Sequence, residues 1–175
     1  MFVNNYLLLL VAVSYGFVSL LGSTEEDRYH QSGNITLGAL FTLHHTNEDG
    51  ECDDFFPPGL GEVEAMKFAI NTINRNPQLL ENTTQGYDIR DYCRSTVEVM
   101  KHTNDFVRIN EMASELKMAS CVCTTKDNTT QSKPTPVTAV IGPADSGAAT
   151  FAGSLLQVTE VPLISYSATD RKSVV

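Results

Sequence analysis

Basic residues are scarce. Lysine and arginine number 12 against 21 aspartates and glutamates, which leaves a net charge of −9. A nucleic-acid partner demands a basic footprint along its phosphates, so this balance excludes one. The same acidity is compatible with cations or amines. Long apolar runs are nearly as rare. After residue 23 nothing approaches the roughly 20 apolar residues that a membrane-crossing helix needs. The first 23 residues, MFVNNYLLLLVAVSYGFVSLLGS, lack Asp, Glu, Lys and Arg altogether. Their continuous apolar core, closed by small residues, predicts a secretory signal peptide over 1–23; the alternative is an uncleaved N-terminal anchor. The usual basic start is missing, so only the α-amino group supplies positive charge. Gly16, Gly22 and Ser23 each offer a cleavage edge.

Histidine is sparse too, and its four positions exclude more than they suggest: His30, His44, His45 and His102. None follows Ser146, the serine best placed to be a nucleophile. Its surroundings, Ala144-Asp145-Ser146-Gly147-Ala148, do not make the Gly-X-Ser-X-Gly elbow of a serine hydrolase. The chain is therefore read as a non-enzyme. The pair His44-His45 fits no strong zinc spacing, so no metal or other cofactor is expected.

Only four cysteines occur: Cys52, Cys93, Cys121 and Cys123. In an oxidising compartment they should pair, and four allow three connectivities. A bridge between Cys121 and Cys123 would be strained, because one intervening residue leaves their Cβ vectors badly aimed. If Cys52 pairs with Cys93, the Cys-Val-Cys pair is left for another chain; both crossing to Cys52 and Cys93 is the other solution. Three Asn-X-Thr sequons, at Asn34, Asn82 and Asn128, independently suggest a secreted glycoprotein.

What remains is well patterned, and 42% of the residues are hydrophobic, enough for one packed domain. A polar leader (24–33) precedes NITLGALFTL, a β-branched run that predicts a buried strand. HHTNEDGECDDFFPPG reads as a long loop. GEVEAMKFAINTINRNP places Met66, Ala69, Ile70 and Ile73 on one helical face, with Pro77 as its stop. GYDIRDYC predicts a second strand. RSTVEVMKHTNDFVRINEMASELKM predicts a second helix, with Val97, Met100 and Val107 on its apolar face. Residues 120–136 are Thr-, Ser- and Pro-rich and read as a surface loop. PVTAVIG, SGAATFAGSLLQVTE and VPLISYSA complete the alternation as strand, helix and strand. The pattern predicts an α/β fold, a parallel sheet with helices on both faces.

In such sheets ligands sit beyond the carboxyl ends of the strands. Two loops there carry small polar residues, Gly142–Gly147 and Ser165–Asp170. Ser146 stands at or near the N-cap of the third helix, where the dipole and the first amides favour an anion such as a carboxylate. In the second loop Ser167 and Thr169 lie on one side of an extended segment, with carbonyls able to accept from an ammonium group. Together the loops could grip both ends of an α-amino acid. The plainer reading is that Ser146 or Asp145 caps a helix and the others are ordinary loop residues.

From about Gly33 to Thr169 the chain resembles the first lobe of the Venus-flytrap ligand-binding region of class C G-protein-coupled receptors. The stretches that carry the resemblance are LGALFTLH, EVEAMKFAINTINRNPQLLENTTQGYDIRDYC, AVIGPADSGAATFAGSLLQV and VPLISYSATD. They are similar to the metabotropic glutamate, calcium-sensing and related amino-acid receptors. The resemblance makes residues 34–175 a partial ligand-binding region, lobe 1 with an incomplete C-terminal end. It implies that Ser146 binds the α-carboxylate of an amino acid, and that Ser167 and Thr169 contact its α-carboxylate and α-amino groups. It pairs Cys52 with Cys93. It assigns Cys121 and Cys123 to bridges between protomers of a homodimer. Glu62 stands where the glutamate pattern has an arginine, so a neutral or cationic amino acid, or a cation, suits the site better than glutamate.

The second lobe, the cysteine-rich stalk and the membrane domain of the family are absent from this sequence, and RKSVV no longer resembles it. G-protein coupling would therefore belong to a longer product at the plasma membrane. The alternatives are a flytrap of another class (a guanylyl-cyclase-type receptor or a secreted solute-binding protein) or a non-signalling secreted fragment.

Overall fold

The structure, a computed structural model, describes residues 28–118 and 135–169. The expected signal peptide, Cys121, Cys123 and Asn128 lie outside the described residues. The elements run β1 (Arg28–Gln31), β2 (Ile35–Phe41), β3 (His44–Thr46), β4 (Cys52–Phe55), α1 (Pro57–Arg75), β5 (Gln85–Asp91), α2 (Thr96–Met118), β6 (Val137–Ile141), α3 (Ser146–Leu156), a 3₁₀ turn (Gln157–Thr159) and β7 (Leu163–Ile164).

Five strands form one sheet in the order β1-β5-β2-β6-β7. β2 pairs in parallel with both β5 and β6, and β6 with β7. This is the parallel α/β sheet that the alternation of apolar runs predicts. β2 sits at its centre because successive side chains point to opposite faces and both faces are covered. Ala39 and Phe41 enter a core with Val63, Met66 and Ile70 of α1. Leu40 enters a second core with Val99, Phe106 and Val107 of α2 and Ala148, Ala152 and Leu156 of α3. Helices thus lie on both faces.

Three differences from the sequence reading have physical causes. Part of the polar leader is the edge strand β1, antiparallel to β5 and anchored by Arg28, whose Nε and Nη2 each lie 2.8 Å from the Asp88 carboxylate. The acidic loop holds the β3–β4 hairpin, and α1 begins at Pro57, since proline in a first turn gives up an amide that has no helical partner anyway. The apolar face of α2 is also corrected. Val107 is buried, but Val97 and Met100 are exposed, while Val99, Thr103 and Phe106 point inward. Likewise Met66 and Ile70 of α1 are buried whereas Ala69 is exposed.

The helices are held close by glycine. A Cβ on Gly59 would lie 1.6 Å from the Thr42 carbonyl oxygen, so only glycine lets α1 start against the end of β2. Gly142 takes φ +83° to turn the chain out of β6, under the Leu40 carbonyl.

Candidate functional site

The carboxyl ends of β6 and β7 lie side by side, and the loops that leave them are tied together. Gly142 N donates to the Ile164 carbonyl at 2.9 Å, the last rung between the strands. Beyond it, Ser165 Oγ donates to the Pro143 carbonyl at 2.7 Å and accepts from Ala168 N at 3.3 Å. One hydroxyl therefore fixes the second loop internally and clamps it to the first. Ser146 follows Pro143 by three residues, and Ser167 and Thr169 follow Ser165 by two and four. The two sequence-predicted loops are brought to one edge of the sheet, with Ser167 and Thr169 exposed and Ser146 partly so.

The cap of α3 is Asp145, not Ser146. Asp145 has extended backbone and its Oδ1 accepts from Ala148 N at 2.9 Å. A carboxylate at this place also answers the positive end of the helix dipole. Ser146 is the first helical residue. Because the Ala148 and Ala149 amides are committed to Asp145, an anion at this terminus would be met ahead of them, at Ser146 and Gly147.

The other Asp145 oxygen is also engaged. Tyr92, buried at the end of β5, donates its hydroxyl to Asp145 Oδ2 at 2.7 Å. Burial chiefly pushes the Tyr92 phenol up to about 12; the Thr42 hydroxyl opposes it, and the Asp145 carboxylate adds a smaller rise. Tyr166 is a third partner that the sequence reading did not single out. Its phenol is held far above the ordinary range by partial burial and then by the neighbouring Glu62 carboxylate. Its ring packs edge-on to Phe41 with centroids 6.1 Å apart. The Tyr92–Asp145 pair ties the first loop to the end of β5, and both phenols remain protonated near neutrality.

Beside this edge, under α1, lies a cavity of about 410 Å³. Its walls are apolar (Leu37, Phe41, Met66, Ile70 and Ile141 among them), with Glu62 and Gln85 as polar exceptions. Among the described residues, no lysine or arginine lines it.

Cys52 and Cys93 form a disulfide with Cα atoms 5.7 Å apart. It joins the β3–β4 hairpin to the end of β5. Asp91, fully buried below it, accepts from Leu43 N and Cys93 N at 2.9 Å each with Oδ1, and faces His44 Nδ1 at 2.7 Å with Oδ2. Asn34 and Asn82 are exposed, as sequons must be to carry a glycan.

Comparison with known proteins decides the family. The model of the receptor family ligand binding region matches residues 61–174. The chain belongs to the family of receptor ligand-binding regions. Among curated relatives it is 33% identical over 169 residues to mouse metabotropic glutamate receptor 8, covering 92% of this chain and 18% of the receptor. It is 32% identical over 158 residues to the human extracellular calcium-sensing receptor, covering 83% of this chain and 14% of the receptor. The bovine calcium-sensing receptor gives 32% over 175 residues. These relatives make it similar to class C G-protein-coupled receptor ligand-binding regions, and the chain spans less than a fifth of their length. No helix among the described residues is long and apolar enough to cross a membrane.

Proposed function

We propose that this chain is an extracellular, amino-acid-recognising lobe of a class C receptor and carries out no catalysis. The observation that carries the reading is the clamp between the loops, Ser165 Oγ on the Pro143 carbonyl. It supports a grip in which Ser146 and the first α3 amides take an α-carboxylate. Ser167 and Thr169 take the remaining carboxylate oxygen and the α-ammonium group. Glu62, a carboxylate that lines the cavity with Tyr166 beside that grip, disfavours a ligand with a second carboxylate. A neutral or cationic amino acid is the preferred class.

A flytrap holds its ligand by closing two lobes, so this lobe alone binds weakly, and signalling through a G protein belongs to membrane segments of a longer product. The Cys121/Cys123 loop joins two protomers at the cell surface. The exposed apolar residues Val97, Met100 and Phe151 on α2 and α3 support a face that pairs.

Saturation-transfer NMR with L-alanine, L-lysine and L-glutamate tests the ligand reading. Wild-type protein should give signals with the first two, and Ser146→Ala should reduce them at least about tenfold, the loss expected when a charge-assisted contact is removed. Undiminished signals in the variant would refute the role of Ser146. A non-reducing gel tests the pairing: a dimer band should disappear on substituting both Cys121 and Cys123 by serine.

A further inference from the structure

We propose that the hairpin junction becomes a zinc site when the Cys52–Cys93 disulfide is reduced, with His44, Cys52, Asp91 and Cys93 as the ligands. His44 Nδ1, Cys52 Sγ and an Asp91 carboxylate oxygen all lie within 4.8 Å of one another. Cys93 Sγ, the bonded partner of Cys52, adds a fourth donor at the same point. Two thiolates, an imidazole and a carboxylate are a set that suits tetrahedral zinc.

The surroundings are already arranged for a metal. Asp91 Oδ1 is held by the Leu43 and Cys93 amides, which fixes the carboxylate and leaves Oδ2 turned to His44 and to Cys52 Sγ, 3.8 Å away. A zinc ion would sit between His44 Nδ1 and Asp91 Oδ2. Their atoms, now 2.7 Å apart, need to separate to about 3.3 Å to bind at roughly 2.0 Å each. The sulfurs need to open to about 3.8 Å, the edge of a tetrahedron with Zn–S of about 2.3 Å. Cys52 can supply that movement. It lies on β4, which among the described residues pairs only with β3 and stands outside the main sheet. His44 is 29% exposed at its side chain and gives the ion a way in.

The chemistry balances with a named reductant. A phosphine and one water reduce the disulfide by two electrons, forming the phosphine oxide and two thiols. Zinc uptake then displaces the two thiol protons, while neutral His44 offers the Nδ1 lone pair and keeps its proton on Nε2. Oxidation of the two thiolates by a disulfide reagent restores the bridge and expels the ion. The site is thus exclusive with the disulfide: the hairpin is pinned by sulfur in one state and by metal in the other.

The test uses the full chain with Cys121→Ser and Cys123→Ser, so that no other thiols compete. After phosphine reduction, zinc is titrated against a chromophoric chelator, and cobalt is added separately as a spectroscopic probe. The expected result is one ion per reduced chain and none per oxidised chain. Cobalt should give the visible bands of tetrahedral coordination with thiolate charge transfer. His44→Ala and Asp91→Asn should each weaken zinc at least about tenfold. Those variants keep both cysteines, so they distinguish this site from thiols of an unfolded chain. Zinc uptake no better in the reduced than in the oxidised protein would overturn the proposal. So would full affinity in both variants.

Discussion

The Tyr92 hydroxyl lies 2.7 Å from Asp145 Oδ2, which joins the end of β5 to the first turn of α3. The same carboxylate caps that helix through Ala148 N, so one side chain fixes both the helix start and the loop that carries Ser146. A buried donor left without its acceptor costs more than a bond is worth, so the two ends of this pair are not equivalent. Tyr92→Phe should destabilise the chain by about 1.5 kcal/mol, the low end for a bond to a charged group. Asp145→Ala loses the cap as well and removes the acceptor of the Tyr92 O–H, for about 2–3 kcal/mol. Urea midpoints measure both; equal shifts would contradict the double role of Asp145.

Glycines at two nearby positions should respond oppositely. Gly59→Ala drives a methyl into the Thr42 carbonyl and should prevent α1 from docking on β2. Gly61→Ala, two residues on in the same helix, meets nothing within 4 Å and should stabilise by about 0.5–1 kcal/mol through helix propensity. Thermal melting of the two variants should move in opposite directions.

Acid should unfold the chain in two windows. His102, its pKa lowered by burial and by Arg90, is held neutral in the fold, so the unfolded chain binds the proton first. Stability then falls as pH drops below the ordinary histidine value of 6.5. For Asp88 burial raises the pKa, but the hydrogen bonds from Arg28 and Arg90 outweigh it and lower the net value. Its contribution is full above the ordinary value of 3.8 and is lost as pH falls through the lower folded value. His102→Gln should flatten the first window and Asp88→Asn the second, read from denaturant midpoints across the range.

Removing the hairpin bridge should be costly. Cys52 and Cys93 are separated by 41 residues, and closing a loop of that length contributes about 4 kcal/mol by the chain-entropy relation. The double serine variant should lose stability of that order while keeping the main sheet, since the hairpin stands outside it. Circular dichroism with urea titration checks both parts.

The central strands were legible in the sequence because Ile35–Phe41 and Val137–Ile141 are apolar, β-branched runs, the first largely buried and the second buried at Val137 and Val140. β1 was not, because Arg28-Tyr29-His30-Gln31 has no apolar alternation and becomes a strand only through pairing with β5. The outward turn of Val97 and Met100 was hidden as well, since periodicity marks apolar faces without saying which one meets the sheet. At the site, the glycines and small polar residues after β6 and β7 announced two loops at one sheet edge. The division of labour inside them did not follow from composition. Asp145 and Ser146 are equally good caps on paper, and only the position of Tyr92 engages Asp145 further. Ser165 looked like any loop serine until its hydroxyl met the Pro143 carbonyl.

The most direct test of the two-loop grip is amide NMR of the ¹⁵N-labelled chain titrated with L-alanine and, in parallel, with L-alaninol, which lacks the carboxylate. The account predicts that L-alanine shifts the amides of Ser146, Gly147, Ser167 and Thr169 while L-alaninol leaves Ser146 and Gly147 in place. Unmoved amides at all four positions, or equal shifts with both compounds, would contradict it.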